Sequence, residues 1–207
     1  MKTTKSESRR LKILWQYDVL DTVPEEVFDE LTDLAAYICD APVALISLVD
    51  EDRQWFKSRV GVSIQETSRD ISFCAHALTG SDLLIVPDAT KDPRFKKNPL
   101  VTGKEHVRFY AGAPLVTPDG YALGTLCVLD KKPRELRPEQ LQALQVLSRH
   151  VMTQLELRRH ARELVSAREN GGQLKSELAR AHAEIERLRT QLAKHARQPN
   201  VSKRKKN

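Results

Sequence analysis

Long apolar runs are missing from this 207-residue sequence. No stretch approaches the roughly 18 consecutive apolar residues that a membrane-spanning helix requires. Basic residues occur among the first positions of the chain, but no apolar segment follows them to form a signal peptide. We therefore expect a cytoplasmic protein that has no membrane partner.

Cysteine is scarce as well, with only Cys39, Cys74 and Cys127 in the chain. Their odd number and wide spacing argue against a disulfide framework, and no C-x-x-C pair indicates zinc. The histidines are scattered, and no glycine-rich phosphate loop is present. We predict three buried, reduced thiols, no metal site, and no cofactor that the sequence alone identifies.

Charge is distributed unevenly along the chain. Residues 1–130 contain 15 Lys and Arg against 20 Asp and Glu, a net charge of −5, whereas residues 131–207 contain 19 against 8, a net charge of +11. This asymmetry predicts two bodies with different roles. The basic run Lys203–Lys206 would suit phosphates, but the tail has no aromatic residues for base stacking. We expect a solvated end and predict no nucleic-acid partner.

Hydrophobic periodicity predicts an α+β domain. Residues 25–39 carry an apolar stripe at helical spacing, and the apolar run Val43–Val49 is typical of a strand that is covered on both faces. We therefore expect a mostly antiparallel sheet packed against helices, with the irregular residues 88–106 as a binding loop. The other predicted elements are strands at residues 54–60, 83–86, 109–116 and 122–129 and a helix at residues 72–79.

Residues 138–196 have a helical pattern, which Gly171 and Gly172 interrupt at a cost of about 1 kcal/mol per glycine. Beyond them, apolar residues recur at alternating intervals of four and three, as in a coiled coil. Because a lone helix of this length is marginal in water, we predict a homodimer formed through this helix. The predicted dimerisation residues are Leu174, Leu178, Ala181, Ile185, Leu188 and Leu192.

The predicted organisation of the chain has four parts. An N-terminal arm at residues 1–24 precedes a globular domain at 25–160. A coiled-coil tail at 161–198 follows, and then a disordered basic end at 199–207. No kinase, cyclase or DNA-binding output domain is expected after the tail.

Several segments of the globular part, taken together and in order, resemble a GAF domain of bacterial sensory proteins. The resemblance covers about residues 25–160. It implies a sheet of five or six antiparallel strands, helices on both faces, a small-molecule pocket under the mid-domain loops, and a long C-terminal helix that dimerises and transmits a signal. The segments that carry it are Ala44–Ser58, Arg69–Ala77, Pro87–Ala89, Asp92–Phe95, Phe109–Leu115 and Gly124–Asp130.

A ligand pocket would combine aromatic, polar and charged groups around an apolar cleft. In the alternative interpretation, the aromatic residues belong to the core and Asp92 and Arg94 only brace the loop. The candidate pocket residues are Trp55, Phe73, His76, Asp92, Arg94, Phe95, Tyr110 and Gly112.

Cys74 and His76 raise the question of a catalytic thiol activated by a base. Residues two apart on a helix do not face each other, so a buried core cysteine is the preferred interpretation. Some GAF relatives reduce free methionine sulfoxide or attach a bilin through a Cys-His pair, but the cysteines here match neither arrangement.

The leading hypothesis is therefore a non-catalytic module that senses a small molecule or transduces a signal, and that passes a change in helix packing to a partner signalling protein. Two alternatives remain open at this stage. One is an adaptor protein without a ligand, and the other is a thiol-dependent reductase of the free methionine sulfoxide type.

Overall fold

The computed structural model describes residues 5–80 and 82–196, with the backbone alone described for residue 5 and for residues 191–196. The chain divides into two compact units, Met1–Arg159 and His160–Asn207. The predicted basic end, residues 199–207, lies outside the described residues.

Five α-helices and six strands make up the described chain. The helices are α1 (Lys5–Gln16), α2 (Glu26–Cys39), α3 (Cys74–Ala77), α4 (Pro99–Thr102) and α5 (Pro138–Ala196), with a 3₁₀ turn at Arg69–Ile71. The strands are β1 (Val43–Val49), β2 (Arg53–Val60), β3 (Glu66–Ser68), β4 (Leu84–Val86), β5 (Phe109–Val116) and β6 (Ala122–Asp130).

The six strands form one antiparallel sheet in the order β3-β2-β1-β6-β5-β4. This confirms the predicted α+β fold with five or six antiparallel strands. β1 and β6 lie at the centre and pair in register, with Leu45 opposite Cys127. Both strands are almost entirely buried, as the continuous apolar run in β1 indicated.

The first face of the sheet is covered by α1, α2 and the N-terminal part of α5. Leu14, Phe28 and Val151, one from each helix, are buried together with Trp55 of β2. α2 begins with acidic residues in its first turn, which the helix dipole favours. It ends at Asp40, whose φ of 49° places it in the left-handed region.

The second face of the sheet is covered by α3, α4 and the loops beside them. Phe73, Phe95 and Val101 form a smaller buried cluster there, together with Tyr110 and Cys127 of the sheet. Helices therefore lie on both faces, as predicted. Every functional feature described below for Met1–Arg159 depends on this arrangement of one sheet between two helical layers.

Three local predictions were wrong. α5 continues through Gly171 and Gly172, because glycine keeps its backbone N–H and weakens a helix without breaking it. The predicted helix at residues 72–79 is shorter than expected: only the four residues of α3 are α-helical, and the 3₁₀ turn precedes the predicted start. The polar edge strand β3 and the short α4 inside the predicted irregular loop were missed. No helix among the described residues has the length and apolarity needed to cross a bilayer.

Candidate functional site

A cavity of about 360 Å³ lies between the second face of the sheet and the cover formed by α3, α4 and their loops. Its volume falls in the range of about 300–1,000 Å³ typical of small-molecule sites. The wall is mainly apolar and is contributed by strands, α3 and the loop before β5. Its buried members include Leu45, Phe56, Phe73, Cys74, Tyr110 and Cys127.

Polar groups are few and lie mostly towards the rim of the cavity. Lys104, Glu105 and Lys131 contribute charged side chains, while Gln54 is buried in the wall. The Gln54 side-chain oxygen accepts a hydrogen bond from the hydroxyl of Ser72. An apolar chamber with a few oriented polar groups favours a small ligand that is largely apolar and carries one polar end.

Aromatic rings form one side of this chamber. The ring of Phe73 stacks on Phe95 with centroids 4.0 Å apart and lies 5.3 Å from the ring of Tyr110. His76 contacts Phe95 edge-on at 4.8 Å. Burial, and then the nearby guanidinium of Arg94, lower the pKa of His76, so the neutral imidazole is favoured against this stack.

The loop that begins at Pro87 is braced by its own charges. Arg94 Nη2 lies 2.6 Å from the Asp92 carboxylate, which also accepts the Arg94 backbone N–H. This pairing with Arg94 holds the pKa of Asp92 below its usual range. The Arg94 guanidinium also lies 5.1 Å from the centre of the Phe95 ring, and it thereby fixes the loop against the aromatic stack.

The structure brings only part of the predicted pocket to the cavity. Phe73 and Tyr110 line it, whereas Trp55 lies in the core on the opposite face of the sheet. A Cβ at Gly112 would lie 2.2 Å from the Tyr110 hydroxyl, so this glycine makes room for a wall residue. Phe95, His76, Asp92 and Arg94 support the wall from behind Phe73. Ligand binding by these residues stays a prediction.

The prediction missed much of the actual lining. Leu45 of β1, Phe56 of β2 and Cys127 of β6 face the chamber. Leu45 and Cys127 belong to apolar strands whose two faces look alike in the sequence, and Phe56 follows Trp55, so that the sequence does not show which of the two rings turns to the chamber. Leu100 comes from the loop that was predicted to be irregular, and Val107 directly follows that loop. No periodicity there indicates which residue turns inwards.

Two buried thiols meet in the wall of the cavity. Cys74 Sγ and Cys127 Sγ lie 3.8 Å apart, and the Tyr110 hydroxyl donates to Cys74 Sγ at 3.3 Å. Burial disfavours both thiolates, but hydrogen bonds from Cys127, Thr125 and Tyr110 outweigh it and lower the pKa of Cys74. Burial and the adjacent Cys74 raise the pKa of Cys127. Cys74 is therefore the more readily ionised thiol of the pair.

A charged network on the first face joins the sheet to α5 within Met1–Arg159. Lys57 of β2, whose side chain is fully buried, donates to the Glu25 carboxylate at 2.6 Å. Arg158 of α5 donates to the same carboxylate at 2.9 Å and to the Asp18 carbonyl at 2.8 Å. Burial opposes ionisation of Glu25, but the two cations outweigh it and lower the pKa of Glu25.

The unit His160–Asn207 consists of helical residues up to Ala196. Of the six predicted dimerisation residues, Ala181 and four others have exposed side chains. The side chain of the sixth, Leu192, lies outside the described residues. Leu164 is exposed as well and continues the same four-and-three spacing towards the N-terminus through Ala167 and Gly171. The four exposed predicted residues are Leu174, Leu178, Ile185 and Leu188.

The unit Met1–Arg159 is therefore an α+β domain with an antiparallel six-stranded sheet and a ligand-sized cavity under its mid-domain loops. The sequence model of the GAF domain family matches residues 23–155, and the chain belongs to that family. The GAF resemblance noted from the sequence segments is thereby confirmed.

Known proteins of this fold occur in several bacterial signalling systems. The chain is similar to the blue-light absorbing form of the PixJ GAF domain of Thermosynechococcus elongatus, with 13% identity, a TM-score of 0.56, and coverage of 81% of this chain and 96% of that one. It is also similar to the GAF domain of an Acinetobacter phosphoenolpyruvate-protein phosphotransferase, with 16% identity, a TM-score of 0.53, and coverage of 74% and 95%. At these identities the likeness concerns the fold alone.

A cyclic di-GMP phosphodiesterase of Pseudomonas aeruginosa is 42% identical to this chain over 152 residues. The match covers 73% of this chain but only 26% of that enzyme. The prediction of a non-catalytic protein was wrong, because a relative at this level of identity is named as an enzyme. What the comparisons support is a GAF-domain signalling module.

Proposed function

We propose that this chain is a sensory module that binds a small, largely apolar molecule in the cavity on the second face of its sheet. The observation that carries the proposal is the cavity itself, with its volume of about 360 Å³ and its apolar wall. Phe73 and Tyr110 form its aromatic side, and Gln54 offers a buried polar group to orient a ligand.

The ligand acts through the central strands of the sheet. Leu45 faces the cavity, while its neighbours Ala44 and Ile46 pack in the core on the first face. A shift of β1 therefore changes the packing under α5, and the network of Lys57, Glu25 and Arg158 joins the sheet to that helix. Two alternative packings of α5, biased by the ligand, supply the signal.

The signal passes to a second copy of the chain through the tail helix. Exposed apolar residues at heptad spacing, such as Leu174, Leu178 and Ile185, are stabilised when two such helices pack side by side. Each copy buries its stripe against the other, because an isolated helix of this kind is marginal in water. The alternative is an adaptor function, in which the helix of another protein covers the same apolar stripe.

The wider role of the module lies in cyclic di-GMP signalling. The support is the 42% identity to part of a cyclic di-GMP phosphodiesterase. We infer that the pocket adjusts cyclic di-GMP turnover in response to its ligand. Cyclic di-GMP levels in cells that overproduce the chain test this role directly, and unchanged levels would contradict it.

A cavity-filling variant tests the pocket. Val62 lines the cavity, and Val62→Trp inserts an indole into it. We expect one or more compounds from a panel of nucleotides, haem, bilins and small metabolites to raise the Tm of the wild-type chain, since a ligand bound only to the native state stabilises it by RT ln(1 + [L]/Kd). The same compound should leave the Tm of Val62→Trp unchanged.

Val23→Trp is the matched control, because Val23 is 75% exposed and outside the cavity lining. It should keep the ligand-induced rise in Tm. If the Tm of the wild type responds to no compound, or if Val62→Trp responds as strongly as the wild type, the cavity is not the ligand site. Capture of a different protein by the tail would then favour the adaptor function.

A further inference from the structure

The fold places two cysteines together that lie 53 positions apart in the sequence. We propose that Cys74 and Cys127 are a site of reversible oxidative modification, at which a hydroperoxide converts the two thiols into a disulfide that ties α3 to β6. This inference is independent of the ligand of the proposed function, because it needs only the two thiols and access to them.

The two thiols are in direct contact without being bonded. The two sulfur atoms lie 3.8 Å apart, whereas a disulfide bond is about 2.05 Å long. Bond formation therefore requires the two sulfur atoms to move about 1.8 Å closer to each other. Cys74 begins the four-residue α3, which is flanked by the 3₁₀ turn and by loop residues. A short element of this kind can move towards β6 more easily than a strand in mid-sheet can move.

Access to the thiols comes through the cavity. Cys74 and Cys127 are only 2% and 0% exposed, yet both line the chamber. Ile64 and Lys104, also in the lining, have exposed side chains, so the chamber opens to solvent between them. We assign this opening as the route by which a small oxidant such as hydrogen peroxide reaches the two thiols.

The neighbours of the pair favour Cys74 as the attacking sulfur. The Tyr110 hydroxyl donates to Cys74 Sγ at 3.3 Å and lies 3.3 Å from the Thr125 hydroxyl. Hydrogen bonds of this kind stabilise a thiolate, the form that reacts with peroxides. The lowered pKa of Cys74 and the raised pKa of Cys127 agree with this assignment.

The reaction balances in two steps. The Cys74 thiolate attacks one oxygen of the hydroperoxide, the O–O bond breaks, and the products are Cys74 sulfenic acid and, after protonation, water or an alcohol. Cys127 Sγ then attacks the sulfenic sulfur, the S–O bond breaks, and water leaves as the disulfide forms. The two thiols lose two electrons to the peroxide, and a dithiol reductant returns them.

Cys39 serves as an internal reference. It lies in the core on the first face of the sheet, away from the cavity lining. Burial raises the pKa of Cys39 to about 11, so little thiolate is available there for reaction with a peroxide. Peroxide should therefore leave this third thiol free.

The test is a thiol titration of the purified full chain. After treatment with hydrogen peroxide and denaturation, the number of free thiols should fall from three to one, and dithiothreitol should restore three. Trypsin should then release a disulfide-linked pair of peptides, residues 70–91 with residues 109–131. Residues 13–53, which contain Cys39, should remain fully alkylated.

Three outcomes would overturn the inference. The first is a titre that stays at three thiols. The second is stable oxidation of Cys74 to a sulfinic acid without any linked peptide. The third is a disulfide between two chains, visible as a dimer on a non-reducing gel. Peptide mapping of the wild-type chain needs no substitution, so the result stands even if a variant fails to fold.

Matched variants sharpen the assignment. In Cys127→Ala, peroxide should leave Cys74 as the only oxidised cysteine, and no linked peptide should appear. Cys39→Ala should form the linked peptide as the wild type does. A linked peptide that contains residues 13–53 in the wild-type chain would show that Cys39 is a partner in the disulfide and would contradict the pairing of Cys74 with Cys127.

Discussion

His76 illustrates how a single side chain can belong to a site without lining it. Its imidazole lies edge-on to Phe95, which in turn stacks on the cavity residue Phe73. The charges of Arg94 and Asp92 act on the same imidazole. His76 therefore reports on the integrity of the aromatic wall, and its titration is the most accessible probe of that wall.

The position of His76 predicts a pH dependence of stability. Burial and Arg94 lower its pKa in the folded state, so the unfolded chain binds the proton more readily. The contribution of His76 is therefore fully present above its unfolded pKa of about 6.5 and declines as the pH falls below that value. We expect the free energy of unfolding, measured by urea denaturation, to decrease between about pH 7 and pH 5.

His76→Gln should make this decrease smaller, because glutamine does not titrate. Glu25 and Asp92 also have lowered pKa values, but carboxylates lose their contribution at lower pH, below about 4. The two effects are thus separable by pH. A slope between pH 7 and pH 5 that is the same in His76→Gln and in the wild type would contradict the assignment.

Residue-scale detail also explains why the candidate site was only partly predictable. Phe73 and Tyr110 were predicted as pocket residues because a ligand site combines aromatic, polar and charged groups around an apolar cleft. Trp55 looked equivalent, but the β1–β2 pairing turns it to the other face of the sheet. The meeting of Cys74 with Cys127 depends on tertiary packing between α3 and β6, for which no local pattern in the sequence exists.

At the scale of elements, the sequence predicted best where the apolar pattern was strong. β1, β5 and β6 are apolar strands, and their predicted limits agree with the structure to within one residue. β3 consists of the polar residues Glu66–Ser68, so neither alternation nor β-propensity indicated it. It exists because the edge of β2 offers free backbone groups with which it can pair.

The glycine pair in α5 supports a prediction about the tail. A Cβ built at Gly171 or Gly172 meets no atom within 4 Å, so alanine fits both positions. We expect Gly171→Ala combined with Gly172→Ala to stabilise the helix by up to about 1 kcal/mol per position. Thermal unfolding of the full chain, followed by circular dichroism at 222 nm, should show the helical signal lost at a higher temperature.

Ala179→Gly is the opposite control, because Ala179 is an exposed residue of the same helix outside the apolar stripe. It should lower the temperature at which the helical signal is lost. A double alanine variant that unfolds at the same or a lower temperature would mean that the glycines are required by a bend, as the sequence-based prediction of a break implied.

At the scale of the whole molecule, the exposed apolar stripe of the tail helix bears on the oligomeric state of the chain. Leu174, Leu178, Ile185 and Leu188 are between 46% and 68% exposed. On either side of the stripe, charged residues pair along the helix, as Arg189 does with Glu186 at 2.8 Å. An apolar stripe bordered by charges is the pattern that a second helix covers in a coiled coil.

The apolar stripe predicts a dimer that dissociates when a charged residue is introduced into the stripe. Light scattering after size exclusion should give twice the mass of the 207-residue chain, and Leu178→Glu should shift the chain to the monomer. The reason is that a carboxylate placed at the dimer axis is buried against its symmetry mate, where neither charge finds a partner. Arg180→Glu, which makes a charge change on the outer side of the helix, away from the stripe and its flanking positions, should leave the dimer intact.

The same measurement separates homodimerisation from the adaptor function. If the wild-type chain is monomeric at every concentration, the stripe does not bind a second copy of the chain. A helix of another protein then has to cover it. If Leu178→Glu remains dimeric, the contact lies elsewhere on the molecule. Only a concentration-dependent dimer that is lost in Leu178→Glu and kept in Arg180→Glu assigns the tail helix as the element through which a change in the sheet reaches a second chain.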